Sequence, residues 1–576
     1  MLDVRCSTLL PHFHTSHHPL LFPSAAEEGK IGVGLRAETP MFDIVIKNGF
    51  VVDGAGAPGF RADLGILGDR IAQIGELDAP GSRVLDAEGC VIAPGFIDIH
   101  SHTDELVIAN PTCESKVTQG VTTEVSGNCG DSAAPRGGHQ NLEEYASWLA
   151  EHGIEPTWRT MGELLARLDE LPMTINFATL VGHGVIRAAA MGYQDRKPTE
   201  SERAEMRRLV ERAMEEGAFG LSAGLIYPPG CYADTEELID LCRVVARYGG
   251  IYATHMRDEG EGLLAAVEEA ICIGREAGVR IQISHHKACG RKSWGKVKDS
   301  LAMIAEARSQ GIDVWADQYP YMATSTGLGA MLPRWAHNGG TSALLARLSD
   351  QTERQRLREQ LLCDAEDGRI ADLGGWDSVV VNFVRQEKNR FCEGLSIAEI
   401  AQITGKHPVD TVMDLLLDER GSVGIMHFVV NEQDVADVMR HPAVVIGSDA
   451  TARAASGPLS RGKPHPRAYG AFARVLGRYV RGEGILSLEE AVAKMTGRTA
   501  RRLPLVGRGI LAEGYYADIT VFDPGEIADT ATFKQPYSHA KGIRYVLVNG
   551  RIVVEDGQLA DISRCAPGRV LRRGVN

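Results

Sequence analysis

The stretch Ala93-Pro94-Gly95-Phe96-Ile97-Asp98-Ile99-His100-Ser101-His102-Thr103-Asp104 decides the fold. Pro-Gly punctuates its start, and Phe96, Ile97 and Ile99 follow as a short apolar run, which reads as a buried strand. Residues two apart on a strand point to the same side. His100 and His102 therefore project together from the strand's end, and two imidazoles on one face suit a divalent metal.

Downstream the chain alternates strand-like and helix-like segments. Apolar, β-branched runs recur at 120–125, 175–181, 218–222, 250–254, 279–284, 313–317 and 443–447, which with 96–100 makes eight. Amphipathic stretches at 200–216, 236–247, 260–276 and 300–309 lie between them. Eight β/α repeats predict an α/β fold, a (β/α)8 TIM-like barrel; a doubly wound open sheet is the alternative. The connection at about 331–441 is far longer than usual. It carries its own helical patterns near 343–362 and 396–417 and a strand at 425–430, so it reads as an inserted subdomain between strands seven and eight.

Both ends of the chain have a different texture. Residues 41–91 alternate in period two around Asn48-Gly49 and Gly68-Asp69, and 517–522 and 545–554 do so around Asn549-Gly550. Such dipeptides between apolar runs predict hairpin turns. One small β-sandwich built from 41–95 and 505–576 is expected, with the catalytic barrel spanning 96–504. Residues 1–40 hold His12, His14, His17 and His18 without a clear period. They lack the basic start and apolar core of a signal peptide and read as a disordered leader.

Composition narrows the function. The 576 residues are 44% hydrophobic and 24% charged, with a formal net charge of -15. That balance argues against nucleic acid or an anionic membrane surface as partner, since both select basic patches. No apolar run reaches membrane-spanning length. The 11 cysteines are scattered without a C-x-x-C pair, as in a reduced, cytoplasmic protein.

The chemistry-bearing residues fall at the carboxyl ends of the predicted strands, where a barrel builds its active site. Strand one supplies His100 and His102, and strand two runs into Gly127-Asn128-Cys129-Gly130. Strand five ends at His255, strand six at His285 and strand eight at Asp449. Imidazoles, a thiolate and a carboxylate at one mouth are the ligand chemistry of zinc. His183 shares that edge and is expected to anchor a loop, while His286 points away from its neighbour's face. Cys90, Cys242, Cys272 and Cys363 read as small buried apolar residues.

These features resemble the amidohydrolase superfamily, and within it the N-acyl-D-amino-acid deacylases. The match is carried by residues 94–104, Gly127-Asn128-Cys129-Gly130, Gly220-Leu221-Ser222-Ala223-Gly224-Leu225-Ile226-Tyr227-Pro228-Pro229-Gly230 and Thr254-His255-Met256-Arg257. It continues through Ser284-His285-His286-Lys287, Tyr319-Pro320-Tyr321, Gly447-Ser448-Asp449 and His465-Pro466-Arg467. The metal set is shared across the superfamily; the Gly-Asn-Cys-Gly turn and the Tyr-Pro-Pro-Gly stretch are particular to the deacylases.

The resemblance implies a tight zinc on Cys129, His255 and His285. It also implies a weaker second position at His100 and His102, with Cys129 able to bridge in place of the carboxylated lysine of many relatives. Asp449 would take a proton from water and return it to the leaving nitrogen. The small-molecule substrate, an N-acyl-D-amino acid, must carry a carboxylate. Lys287 on the mouth, Arg467 in the loop after strand eight, and the hydroxyls of Tyr319 and Ser325 are the groups expected to hold it. The apolar segment 327–332 points to apolar D-residues, whereas Arg334, if turned inward, would favour acidic ones. A cyclic amidase of hydantoinase type is the rival enzyme reading. A scaffold descended from a hydrolase is the rival outside enzymology.

Overall fold

The computed structural model describes residues 41–561 and 566–574. The expected leader, residues 1–40, lies outside the described residues. Eight parallel strands run in chain order: Phe96–Asp98, Val121–Ser126, Asn176–Thr179 continued by Val181–Gly182, Gly220–Gly224, Ile251–His255, Arg280–Ile283, Val314–Gln318 and Val444–Ile446. Each pairs in parallel with the next. Strands one and eight meet through a parallel bridge between Ser101 and Ala450, which brings the two ends of the strand order together as a barrel requires. Ile97, Val125, Ala178, Ile251, Ala253 and Val445, from five strands, form one buried cluster. That is how a closed barrel fills its interior rather than leaving a pore.

The helices between strands follow local sequence logic. Glu200–Glu215 opens on a capping box in which Thr199 and Glu202 satisfy each other's backbone N–H groups. Thr235–Arg247 opens on Asp234, whose side chain accepts from the Glu237 N–H. Their apolar stripes (Met206 and Val210; Leu238, Leu241 and Val245) turn inward onto the sheet.

The chain's two ends share a nine-stranded sheet. Its join is Val91–Pro94 against Ile519–Phe522, antiparallel from Ile519 opposite Pro94 to Phe522 opposite Val91. Ile46, Leu64, Ile66, Ile71, Ile519, Val521 and Leu547 form its buried cluster, so neither end completes this core alone. Gly68-Asp69 and Asn549-Gly550 make the predicted tight turns, the second with positive φ at both residues. Asn48-Gly49 is a correction. It is a bulge inside the single strand Phe42–Val51, where the register against Phe60–Leu67 shifts between Ile46 and Gly49. The strand runs on because Phe50 and Val51 are already paired on the far side with Val91 and Ile92.

Between strands seven and eight stands a three-stranded antiparallel sheet of Ala323–Gly327, Val423–Phe428 and Val379–Val384, with the second strand in the middle. The helical pattern near 343–362 resolves into Gly340–Ser349 and Gln351–Glu366, because Asp350 caps the second. The segment has its own core, including Leu344, Leu357, Val381 and Leu416. Cys363, read as buried, is exposed on the outer face of Gln351–Glu366. Among the described residues no helix is long and apolar enough to cross a membrane.

The shared terminal core makes one prediction. Leu547→Ala, at a fully buried position, is expected to lower unfolding free energy by about 2–5 kcal/mol in a guanidinium melt. The kcat of the folded fraction should be unchanged.

Candidate metal centre

Six side chains converge at the carboxyl ends of the barrel strands. His100 and His102 follow strand one, Cys129 sits in the turn after strand two, and His255 is the last residue of strand five. His285 lies two residues past strand six and Asp449 three past strand eight. They form two donor groups that share the thiol: His100, His102, Cys129 and Asp449; and Cys129, His255 and His285. Within each group the ligand atoms all lie within 4.8 Å of one another.

Cys129 Sγ is 3.3 Å from His100 Nε2 and 3.4 Å from His285 Nε2. His285 Nε2 is 3.0 Å from His255 Nδ1. Asp449 Oδ1 is 3.0 Å from His102 Nε2 and 3.4 Å from His100 Nε2. Cys129, His285 and Asp449 all adopt positive φ, at 52°, 35° and 52°. Three non-glycine residues in that region are costly, and such strain persists where the surroundings over-determine it, as at functional sites.

The electrostatics call for a cation. Burial alone would raise the Cys129 thiol, but His100 and His285 outweigh it and hold the thiol well below its ordinary value. Burial opposes charge on Asp449 too, yet Arg467 and the imidazoles keep it well below the carboxylate range. Burial pushes the His100 and His102 rings down, and the surrounding carboxylates and thiolate more than reverse this, raising His102 to about 10. A thiolate with nitrogen donors around one point is a soft-to-borderline set that fits zinc.

Sequence reasoning missed two carboxylates behind the ligands. Asp317, at the end of strand seven, lies 3.0 Å from His100 Nδ1 and accepts the His285 backbone N–H at 2.7 Å. Glu259 lies 3.0 Å from His285 Nδ1 and 3.8 Å from His255 Nε2. Carboxylates on the far nitrogen of ligand histidines fix the ring orientation and tautomer. Asp317 sits on a strand end and was legible in principle. Glu259, four residues past His255 in a loop, carried no comparable signal.

The donors open into a cavity of about 1840 Å³ lined also by Lys287, Tyr319, Ser325 and Arg467. Arg467 Nη1 makes an ion pair with Asp449 Oδ2 at 2.7 Å, and the buried Tyr319 hydroxyl has no hydrogen-bond partner. The guanidinium stands over the Tyr319 ring, 4.5 Å from its centroid. Lys287 is placed differently: its ammonium lies 2.5 Å from Glu259 and 2.8 Å from His285 Nδ1, so its charge is already matched. Ser325 accepts from Asn382 Nδ2 at 3.2 Å.

The remaining expectations divide. His183 bonds Glu237 at 2.8 Å and belongs to neither donor group, and His286 bonds Ser300 at 2.8 Å. Within 327–332, Leu328 and Leu332 pack into the core of the inserted segment, and only Ala330 and Met331 reach the cavity wall. This corrects the reading of the whole stretch as a substrate pocket: its apolarity mostly serves packing. Arg334 is held outward by Asp195 at 2.7 Å and does not line the cavity.

The two stretches most particular to the deacylases pack as one unit. A Cβ added to Gly224 would stand 2.0 Å from the Cys129 carbonyl oxygen, and one on Gly130 2.6 Å from the Gly224 nitrogen. Gly130 N–H also donates to Ser222 Oγ at 3.0 Å. Only glycine at both positions lets the thiol's turn press against strand four.

Comparison with known proteins agrees with this geometry. Residues 83–554 match the Amidohydrolase family. The chain is 40% identical to a D-aminoacylase of Alcaligenes xylosoxydans xylosoxydans, over 93% of this chain and 99% of that one. It is 38% identical to an N-acyl-D-glutamate deacylase of the same organism, over 93% and 97%. A crystal structure of N-acyl-D-glutamate deacylase from Bordetella bronchiseptica, complexed with zinc and a phosphonate mimic of the tetrahedral intermediate, superposes with a TM-score of 0.77. That protein is 37% identical, and the match covers 92% of this chain and all of that one. A zinc-type donor set at the mouth of an eight-stranded barrel, matched almost end to end by such relatives, places the chain in the amidohydrolase family, among the N-acyl-D-amino-acid deacylases.

Proposed function

We propose that this chain hydrolyses the amide bond of N-acyl-D-amino acids with the help of zinc, releasing a carboxylate such as acetate and a free D-amino acid. One observation carries the reading. A thiol and two imidazoles converge beside a charged aspartate, in a cavity where the Arg467 guanidinium pairs with that aspartate and the buried Tyr319 hydroxyl lacks a hydrogen-bond partner. Those donors suit the carboxylate that every N-acyl amino acid carries. The D configuration rests on the relatives.

Cys129, His255 and His285 would hold the tight zinc, and His100, His102 and Asp449 a weaker one. Zinc, when bound, supplies Lewis acidity that makes water more acidic and polarises a carbonyl. Asp449, charged at neutral pH, accepts the proton of the attacking water and delivers it to the amide nitrogen, without which the amine leaves poorly. Arg467 and Tyr319 hold the substrate carboxylate, and Ser325 adds a hydroxyl from the inserted segment. Lys287 keeps a supporting part: paired with Glu259, it steadies His285.

For the side chain the reading is an apolar D-residue. Ile226, 37% exposed, lines the cavity with Ala330 and Met331, while Arg334 is tied to Asp195. The reading places the enzyme in the cytoplasm, where a reduced Cys129 is maintained; the cysteines among the described residues are free thiols. Its partner is the small-molecule substrate, with neither nucleic acid nor membrane.

Four outcomes test this. Kinetics on N-acetyl-D- and L-methionine, leucine, glutamate and aspartate should show turnover confined to the D series and kcat/KM highest for methionine or leucine. Hydrolysis of hydantoin instead of the linear amides would overturn the reading. Asp449→Asn should lower kcat by roughly 10²–10⁴-fold, the range expected for a lost acid–base group, with the tight zinc still bound. Arg467→Met should raise KM for N-acetyl-D-methionine by about 10-fold or more, as loss of a charge-assisted contact predicts. Gly224→Ala should displace the Cys129 turn, and metal analysis should then find less than one equivalent of zinc.

A further inference from the structure

Strands one and eight do not form a ladder. Strand one ends at Asp98 and strand eight at Ile446; past those points the chains meet at the Ser101–Ala450 bridge, where the Asp449 N–H donates to the His100 carbonyl at 2.7 Å and the His102 N–H to the Ala450 carbonyl at 3.3 Å. Yet His100, His102 and Asp449, one complete side of the donor cluster, stand on the two chains that flank this seam. Beside these few backbone bonds, a buried side chain ties the two chains together.

Lys116 occupies the seam. It lies in the short helix Glu114–Val117, its side chain is fully buried, and it belongs to neither donor group. Its Nζ donates to Asp98 Oδ2 at 2.6 Å and Ser101 Oγ at 3.3 Å on the strand-one side. On the strand-eight side it donates to Ser448 Oγ at 2.9 Å and the Ala450 carbonyl at 2.8 Å. These contacts bracket His100, stop one residue short of His102, and sit immediately before and after Asp449. The acceptors are themselves braced: Asp98 Oδ1 takes the Ser448 backbone N–H at 2.8 Å and the His100 N–H at 3.3 Å. Glu124, 3.6 Å from the ammonium, takes the hydroxyls of Ser101 and Thr103 at 2.8 and 2.9 Å. None of the hydrogen bonds of Lys116 reaches Cys129, His255 or His285.

We propose that Lys116 is a positioning residue: its buried ammonium pins the ends of strands one and eight together, so that His100, His102 and Asp449 form one donor group. A buried ammonium suits the task. It serves several acceptors at once, and a charge-assisted bond is stronger than a neutral one. The inference rests on the two-group assignment above and not on the identity of the substrate.

Deleting the lysine alone would strand the Asp98 carboxylate in the interior and risk unfolding. The test therefore uses Lys116→Met with Asp98→Asn, which removes the closest ion pair, leaves Glu124 held by the Ser101 and Thr103 hydroxyls, and keeps an acceptor for the Ser448 N–H. Ser448→Ala, which removes one lysine contact without burying a charge, serves as the second variant. Zinc is titrated into each metal-stripped protein, and kcat and KM are measured beside it. The first equivalent, on Cys129, His255 and His285, should bind within about 3-fold of the parent affinity. The second should weaken by about 10–100-fold in the double variant, the usual cost of losing an outer support, and less in Ser448→Ala. The kcat should fall while KM stays within about 3-fold. A folded variant whose second equivalent binds as in the parent would overturn the proposal. So would equal weakening of both equivalents, which marks general loosening. Should the double variant not fold, Ser448→Ala alone decides by the same split. Parent protein that releases no amine from N-acyl-D-amino acids sinks the proposed reaction, whereas the zinc titration judges Lys116 regardless.

Discussion

The structure depends on the crowding of electron-rich atoms at one point. A thiol, four imidazole nitrogens and a carboxylate stand 3.0–3.4 Å from their neighbours at the barrel mouth, largely out of water. Such a group repels itself unless positive charge sits within it, because burial weakens screening and strengthens every charge–charge term. The raised His100 and His102 rings are signs of that demand, and the imidazoles and Arg467 supply the positive charge that lowers the thiol and the carboxylate. A divalent cation meets it, and it also sets up the hydrolytic chemistry of the site.

Holding the cluster together against that repulsion is the work of the surrounding fold. The strand ends aim the side chains, and left-handed backbone at Cys129, His285 and Asp449 turns three of them inward. Asp317 and Glu259 take up the outer nitrogens of the rings, and glycines at 130 and 224 let the thiol's turn seat against strand four. The inserted segment adds to the cavity wall, which Ser325 and Met331 line together with the donors.

Much of this is legible in the sequence. Period-two and period-3.6 patterning located eight strands and their helices, because barrel strands buried on both faces are short apolar runs bounded by turn residues. The ligands stood out because they share a position, the end of a strand, rather than a motif. What the sequence hid is contact between distant segments. Asn48-Gly49 looks like a turn locally and is a bulge because Val91 and Ile92 pair with the residues that follow it. Leu328 and Leu332 look like pocket and are core because the helices of the inserted segment cover them. Lys287 looks like a free cation and is matched by Glu259, a partner 28 residues away. Local propensity carries no information about such partners.

The most direct test of the account is the zinc environment itself. X-ray absorption at the zinc edge, on protein loaded with one equivalent, should show one sulfur neighbour at about 2.3 Å and imidazole nitrogens at about 2.0–2.1 Å. A zinc shell of nitrogen and oxygen alone would contradict it, since the metal would then sit away from Cys129.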